Sequence, residues 1–310
     1  MIIHPDFAGI DISKLYLDVF DGRFGKVERF DNTPVTACKL AKRFAKQNTF
    51  VFFEATGRYD RLLREAFADV ELRFARVKPA RARDFAKATG RLAKTDAIDA
   101  RMLAAMAQTL SPESFRRPAP ERQNLSDLQL RRNQLVSMRA EEMTRLEALT
   151  NTFIVRGIQA HIKTLSKAIE AIDDKIKTLF AAHEELHEAE LQLRSTPGIG
   201  PVASAVLISF LPELGHCSPQ QIAALAGLAP FDADSGSIRG KRRIRGGRSR
   251  VRNALYMAAI SAIRSKSKFG HHYRKLIALG KPAKVALIAV ARKILITANA
   301  IVRDNKKYAV

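Results

Sequence analysis

The chain has 310 residues, enough for two domains with separate cores, and carries 53 Lys and Arg against 31 Asp and Glu, for a formal charge of +22. An excess of that size makes an extended polyanion the leading partner and an anionic membrane a distant second. The N-terminus lacks the layout of a signal peptide, and the most apolar run, Val285 to Val302, is broken by Arg292 and Lys293 and so is expected to fall short of a membrane span. Cys38 and Cys217 stand alone, as expected for reduced thiols in a cytoplasmic protein.

The N-terminal third alternates in character. Phe7 to Ile12 is a short apolar run, and Leu15 to Phe20 and Lys26 to Phe30 are strand-like stretches separated by Asp21-Gly22, a hairpin signal. Asn32-Thr33-Pro34 opens a helix reaching Lys46, and Thr49 to Glu54 reads as a buried strand. A helix from Tyr59 to Ala68, a strand from Val70 to Val77 and a further helix from Pro79 follow. A hairpin followed by strand–helix alternation predicts a mixed sheet with helices on its faces.

Carboxylates fall at three places in this pattern. Asp11 closes the first strand, and Glu54 ends the run Phe50-Val51-Phe52-Phe53, where a charge is costly to bury without a partner. Lys94-Thr95-Asp96-Ala97-Ile98-Asp99-Ala100-Arg101 begins an apolar-periodic segment (Ile98, Met102, Leu103, Met106). With Thr95 as N-cap, Asp96 and Asp99 share one face of a first helical turn, where like charges repel unless a cation sits between them. The hard oxygens of Asp11, Glu54, Asp96 and Asp99 suffice for one or two Mg²⁺ (or Mn²⁺) ions, which would suit phosphoryl transfer. Spacing alone leaves the plainer reading open, in which all four are solvated acids at strand and helix ends.

Pro112, Pro118 and Pro120 mark a break, so a first domain is expected over residues 1–111. Residues 112–194 are then mostly polar and helical. Ile162, Leu165, Ile169, Ile172, Ile176 and Leu179 form a heptad seam, and Leu128, Leu135, Leu146 and Leu149 precede it. The pattern predicts an antiparallel pair of long helices turning near Arg156-Gly157, serving as a spacer or as a coiled coil between protomers.

In residues 195–310, Thr196-Pro197-Gly198-Ile199-Gly200-Pro201 resembles a helix-hairpin-helix turn. Gly198 and Gly200 would let backbone N–H groups approach a phosphate without reading sequence, although such turns also serve as connectors. Further on lies the densest basic stretch, with Arg239, Lys241, Arg242, Arg243, Arg245, Arg248, Arg250 and Arg252. So many like charges repel unless a polyanion joins them, and Arg favours bidentate phosphate contacts. Ser235, between Asp234 and Gly236, is placed where a hydroxyl could meet a phosphodiester, but it needs a base, a metal or strong charge stabilisation to act as a nucleophile. No His is local; His271 and His272 are the nearest downstream. On composition alone, Ser235, Ser237 and Ser249 read equally as phosphate-binding hydroxyls. Helices over Asn253 to Ile263 and Ala283 to Val302 are expected as scaffold, with a frayed tail from Arg303.

Gly9-Ile10-Asp11-Ile12-Ser13-Lys14, Phe53-Glu54-Ala55-Thr56-Gly57 and the block Lys94 to Arg101 resemble the three signature blocks of the DEDD transposases of insertion-sequence family 110, which include the Piv-type DNA invertases. Thr196 to Gly200, Ala226-Gly227-Leu228-Ala229-Pro230, Asp234-Ser235-Gly236 and Asn253-Ala254-Leu255-Tyr256-Met257-Ala258 resemble blocks of the same family's transposase domain. The resemblance implies an α/β plus α fold, with a RuvC-like, RNase H-like domain first and a mostly helical transposase domain last. It assigns metal binding to Asp11, Glu54, Asp96 and Asp99. It assigns the nucleophile that forms a phosphoserine link to DNA to Ser235, with Ser237 as the alternative register.

The resemblance further implies a homo-oligomer, dimer to tetramer, in which the acids of one subunit face the serine of another. It also implies a structured bridge RNA that guides pairing with donor and target DNA. The expected protein is thus a bacterial cytoplasmic, nucleoid-associated recombinase. Its rivals are a metal-dependent junction endonuclease using water, a non-catalytic RNA- or DNA-binding protein, and, more distantly, an actin-like ATPase suggested by Gly9-Ile10-Asp11.

Overall fold

A computed structural model describes residues 3–90, 96–231 and 243–308, with side chains from Asp99 onward in the middle stretch. The chain forms two compact units, Met1–Arg117 and Pro118–Val310.

In the first unit, β1 (Phe7–Ile12), β2 (Tyr16–Asp21) and β3 (Lys26–Asp31) form an antiparallel meander. Then come α1 (Pro34–Lys46), β4 (Phe50–Glu54), α2 (Arg61–Asp69), β5 (Phe74–Val77), α3 (Pro79–Ala88) and α4 (Asp96–Leu110). The five-stranded sheet has the order β3-β2-β1-β4-β5, with β4 parallel to both neighbours. This is the mixed sheet that the alternation predicts, consistent with an α/β domain of RNase H-like type.

The local chemistry explains the elements. Thr33 caps α1 by accepting from the Thr36 N–H at 3.3 Å, and Pro34 fills the first turn, where no N–H is needed. The alternation of Phe50-Val51-Phe52-Phe53-Glu54 then sorts the faces of β4. Val51 and Phe53 join Ile10 and Ile12 against Leu40 and Phe44 of α1 and Leu63 and Phe67 of α2. Phe52 joins Ala75 and Val77 against Ala82 of α3 and Met102, Leu103 and Met106 of α4. The last strand is shorter than its apolar composition predicts: Glu71 takes a φ of 52° and the Leu72 N–H donates to the Phe67 carbonyl, so the end of α2 uses the first residues of that run.

The second unit opens with α5 (Pro120–Glu147) and α6 (Thr152–Ala182). They run antiparallel, with Arg132 bonded to Asp173, Arg139 to Ser166 and Glu142 to His161. The turn lies at residues 148–151 rather than at Arg156-Gly157. Asn151 caps α6 by accepting from the Phe153 and Ile154 N–H groups, and Gly157 stays inside the helix with open space around it. Leu165, Ile169 and Ile176 of the predicted seam are buried, the first two with Leu135 of α5.

There follow α7 (Glu184–Arg194), α8 (Pro201–Phe210), α9 (Pro219–Leu225), the short strands β6 (Pro230–Phe231) and β7 (Arg243–Ile244), α10 (Ser249–Ile263), α11 (Lys268–Ala278) and α12 (Ala283–Arg303). With 21 residues and a mean hydropathy of 1.9, α12 is long and apolar enough to cross a membrane, contrary to expectation. Here it is a core helix: Val290, Ala291, Ile294, Leu295 and Ala298 are buried with Leu207 of α8 and Leu255 and Ala259 of α10.

Leu125, Ile176 and Phe180 belong to that same core, so the base of the helical pair is built into the second unit, which begins at Pro118 rather than at residue 112. The tail does not fray as expected: the Tyr308 N–H donates to Ser195 Oγ at 2.8 Å, and its ring lies 5.9 Å from that of Phe269. Sequence reading also missed α9, despite its Ser218–Gln221 capping box, and α11, which Ser267 caps.

Candidate catalytic and nucleic-acid-binding sites

The acids of the first unit are positioned by strand register. Gly9 pairs with Phe52 and Ile10 with Phe53 across the parallel β1–β4 ladder, so the next step brings Asp11 level with Glu54. A side chain on Gly9 would overlap the Ala100 carbonyl and come within 2.6 Å of the Ala104 nitrogen, which shows α4 lying directly on this face of β1. Strand periodicity puts Asp11 on the Gly9 face and Glu54 on the Phe52 face, both towards α4. Asp99 immediately precedes Ala100, and Asp96 is the first residue of α4, one turn earlier.

The fold thus brings Asp11, Glu54 and Asp99 to one corner, with the Asp96 backbone at the same helix end. The Asp96 side chain lies outside the described residues, as does the expected cap Thr95. Asp11 Oδ1 accepts from the Ile12 N–H at 3.0 Å, and none of Asp11, Glu54 and Asp99 is without a partner. Among the described residues, no three His, Cys, Asp or Glu side chains form a group that could hold a metal ion. An all-oxygen donor set of this kind nevertheless fits a hard divalent cation in its chemistry.

Two residues near the corner went unread in the sequence. Asp60, wholly buried at the start of α2, pairs with Arg76 of β5 at 3.0 Å, and the Arg76 guanidinium lies 5.6 Å from the Phe115 ring centroid. Together with the hydrogen bond from the Ala55 N–H to the Val77 carbonyl at 2.8 Å, this pair ties the loop after Glu54 to the neighbouring strand. The signal that could have revealed the corner was Gly9 itself, since a glycine inside a strand marks close backbone approach.

In the second unit, Pro230 pairs with Ile244 and Phe231 with Arg243, so the chain leaves and returns at one two-residue ribbon. Ser235, Ser237, Arg239, Lys241 and Arg242 lie outside the described residues. The ribbon base is a crossing of two glycines in the left-handed region, Gly227 (φ 71°) and Gly247 (φ 66°). A side chain on Gly247 would overlap the Gly227 backbone. The Arg248 N–H donates to the Leu225 carbonyl at 2.8 Å, and its guanidinium grips Glu213 with bonds of 2.5 and 2.6 Å. Burial pushes the Glu213 carboxyl up, but the hydrogen bond and charge of Arg248, together with a backbone hydrogen bond, outweigh it and hold the carboxyl below its ordinary range.

The other described cations differ in use. Arg252 donates to the Gly246 carbonyl at 2.7 Å, Arg245 lies 5.1 Å over Phe231, and Arg250 lies 5.6 Å over Phe210. Arg243 is exposed on the ribbon. Arg250 and Arg252 ride on α10, which starts at Ser249, four residues before the predicted Asn253. The two glycines of the predicted phosphate turn also part company. Gly198 (φ 93°) presses on α10, where a side chain would overlap the Ala258 carbonyl and meet Ala262 Cβ at 2.8 Å. Gly200, at the N-cap of α8, has open space.

Comparison with known proteins agrees with both units. Residues 8–154 match the DEDD transposases of the IS110 type, and residues 191–274 match the transposase IS116/IS110/IS902 family. The chain is 26% identical over 316 residues to the pilin gene-inverting protein of Moraxella bovis, covering 97% of each protein, and equally so to that of Moraxella lacunata. It is 32% identical over 157 residues to an insertion element IS900 protein of Mycobacterium paratuberculosis, covering 47% of this chain and 38% of that protein. The chain belongs to the IS116/IS110/IS902 family of transposases.

Proposed function

We propose that this transposase cuts and rejoins DNA strands through a serine-linked intermediate, with the carboxylate corner of its first unit acting on the same phosphate as Ser235 of its second. The observation that supports this most is the register of β1 with β4 beneath α4, which sets the Asp11 and Glu54 positions level with one another beside the helix that carries Asp99 in its first turn. Asp11, Glu54, Asp96 and Asp99 would hold Mg²⁺ or Mn²⁺, which when bound supplies charge stabilisation to the attacking and leaving oxygens. The Ser235 hydroxyl gives up its proton as its oxygen attacks the phosphorus, the bond from phosphorus to the leaving sugar oxygen breaks, and that leaving oxygen takes up a proton in exchange. Attack by a new sugar hydroxyl then reverses the step and restores the serine. Arg239, Lys241, Arg242 and Arg243 would neutralise the phosphates around it.

The same reading includes DNA as donor and target, a structured guide RNA, and action in the bacterial cytoplasm at the nucleoid. It also includes a dimer or tetramer in which acids and serine come from different subunits. Exposed Met138, Met143, Phe153 and Ile154 towards the turn end of α5 and α6 support assembly through that pair, with Phe153 at 86% exposure. The deciding experiment is denaturing electrophoresis after reaction with labelled element-end DNA. A covalent protein–DNA adduct is expected from the unaltered chain and from Ser237→Ala, and none from Ser235→Ala. Cleavage by the unaltered chain with no adduct would instead establish water as the nucleophile, as in a junction endonuclease.

A further inference from the structure

The strands β1, β4 and β5 run parallel, so their carboxyl ends share one edge of the sheet, the edge outside which open α/β sheets bind their ligands. Each end is followed by an exposed cation: Lys14 after β1, Arg58 in the loop after β4, and Lys78 directly after β5. Arg81, also exposed, follows in the first turn of α3. Lys14 and Arg58 both act on Tyr59. Arg58 Nη2 bonds the phenol oxygen at 3.4 Å, and the hydrogen bond and charge of Arg58, with a smaller pull from Lys14, hold the phenol below its ordinary range.

Some cations of this unit have carboxylate partners, among them Arg29 with Asp18, Arg43 with Asp21 and Glu28, and Arg76 with Asp60. Lys14, Arg58, Lys78 and Arg81 form no ion pair among the described residues. Lys78 and Arg81 moreover sit at the N-cap and first turn of α3, with no acid there, where the helix dipole disfavours positive charge. Positive charge set against a helix dipole breaks a local rule, as functional sites do. Ala82 and Phe85 pack α3 beside α4, on the sheet face that carries Asp11 and Glu54.

We propose that Lys14, Arg58, Lys78 and Arg81 form a phosphate-gripping rim that lays a DNA strand along the carboxylate corner of the first unit. The rim holds the backbone and reads no bases. It rests on the recombinase reading only in taking DNA as the partner, and it needs neither the serine nor a metal.

The test is equilibrium binding of full-length protein to a random-sequence DNA duplex in EDTA, across a KCl series. The variant K14A/R58A/K78A/R81A is expected to flatten the log–log salt dependence by about 3.6, since each lost phosphate contact removes about 0.9 from the slope. The double variant K14A/K78A, which alters only exposed side chains, is expected to lower it by about two and guards against misfolding. The variant K39A/K42A/K46A removes exposed charges from α1, on the other sheet face, and is expected to change the slope by less than about one. Equal effects of the rim and α1 variants, or none from the rim, would overturn the proposal, as would a loss confined to single-stranded RNA run in parallel. An unaltered protein that fails to bind the duplex would likewise overturn the rim, whereas the recombinase reading stands or falls on the Ser235 adduct.

Discussion

The carboxylate corner and the base of the basic loop use glycine for the same purpose with opposite results. At the corner, Gly9 lets α4 settle on β1, and Asp11, Glu54 and Asp99 belong to two strand ends and a helix start. At the loop base, Gly227 and Gly247 let two turns cross, but what they position is only the ribbon from which residues 232–242 depart. Placement of the acids is therefore a matter of strand register, which a single residue can spoil. The loop base is instead held by several contacts, the glycine crossing and the Arg248 bonds among them. This follows from the backbone: a hydrogen-bonded ladder specifies every residue along it, whereas a two-residue ribbon specifies only its ends.

The comparison breaks most sharply at Gly9. Gly9→Val should force α4 off the sheet, destabilise the first unit by about 3 kcal/mol and abolish strand transfer, read as a lower melting temperature alongside lost product. An unchanged melting temperature would mean that α4 does not rest on β1. At the loop base the expected effects are smaller. Gly247→Ala combines a left-handed φ with backbone overlap and should cost about 2 kcal/mol, while Gly246→Ala has the same φ but open space and should cost about 1 kcal/mol. Denaturant midpoints followed on the second unit's transition would show whether the glycine crossing, rather than φ alone, sets the difference.

Smallest is the contribution of Glu213 and Arg248. Because the folded carboxyl titrates below its ordinary value of 4.5, its stabilisation is complete above that value and is lost as pH falls through the lower folded one. Partial exposure limits it to about 1 kcal/mol. Glu213→Gln should therefore lower stability at neutral pH and flatten its fall in acid. A variant with the same acid profile as the unaltered chain would show that the ion pair contributes nothing to the loop base.

Much of this was legible in the sequence because local rules and tertiary structure agree. The meander, the Pro-started α1, the alternation of Phe50 to Glu54 and the heptad seam of α6 all follow from period and capping, as does the presence of acids at strand ends. The misreadings lie where one local cue outvoted another. Gly157 looked like a turn, but Asn151 caps the helix first, and the run from Val70 looked like strand although Glu71 turns left-handed to close α2.

What the amino-acid order determined by itself is the chemistry available: hard oxygens, a serine among arginines, and an excess of positive charge. Tertiary structure alone decided which of these meet. It placed Asp11 beside Glu54 under α4, assigned Gly198 to packing while leaving Gly200 open, and committed Arg248 to Glu213 while Lys14, Arg58, Lys78 and Arg81 form no ion pair among the described residues. The reason is physical: periodicity encodes which face a residue joins, but partners distant in sequence are chosen only when packed backbones bring the faces together.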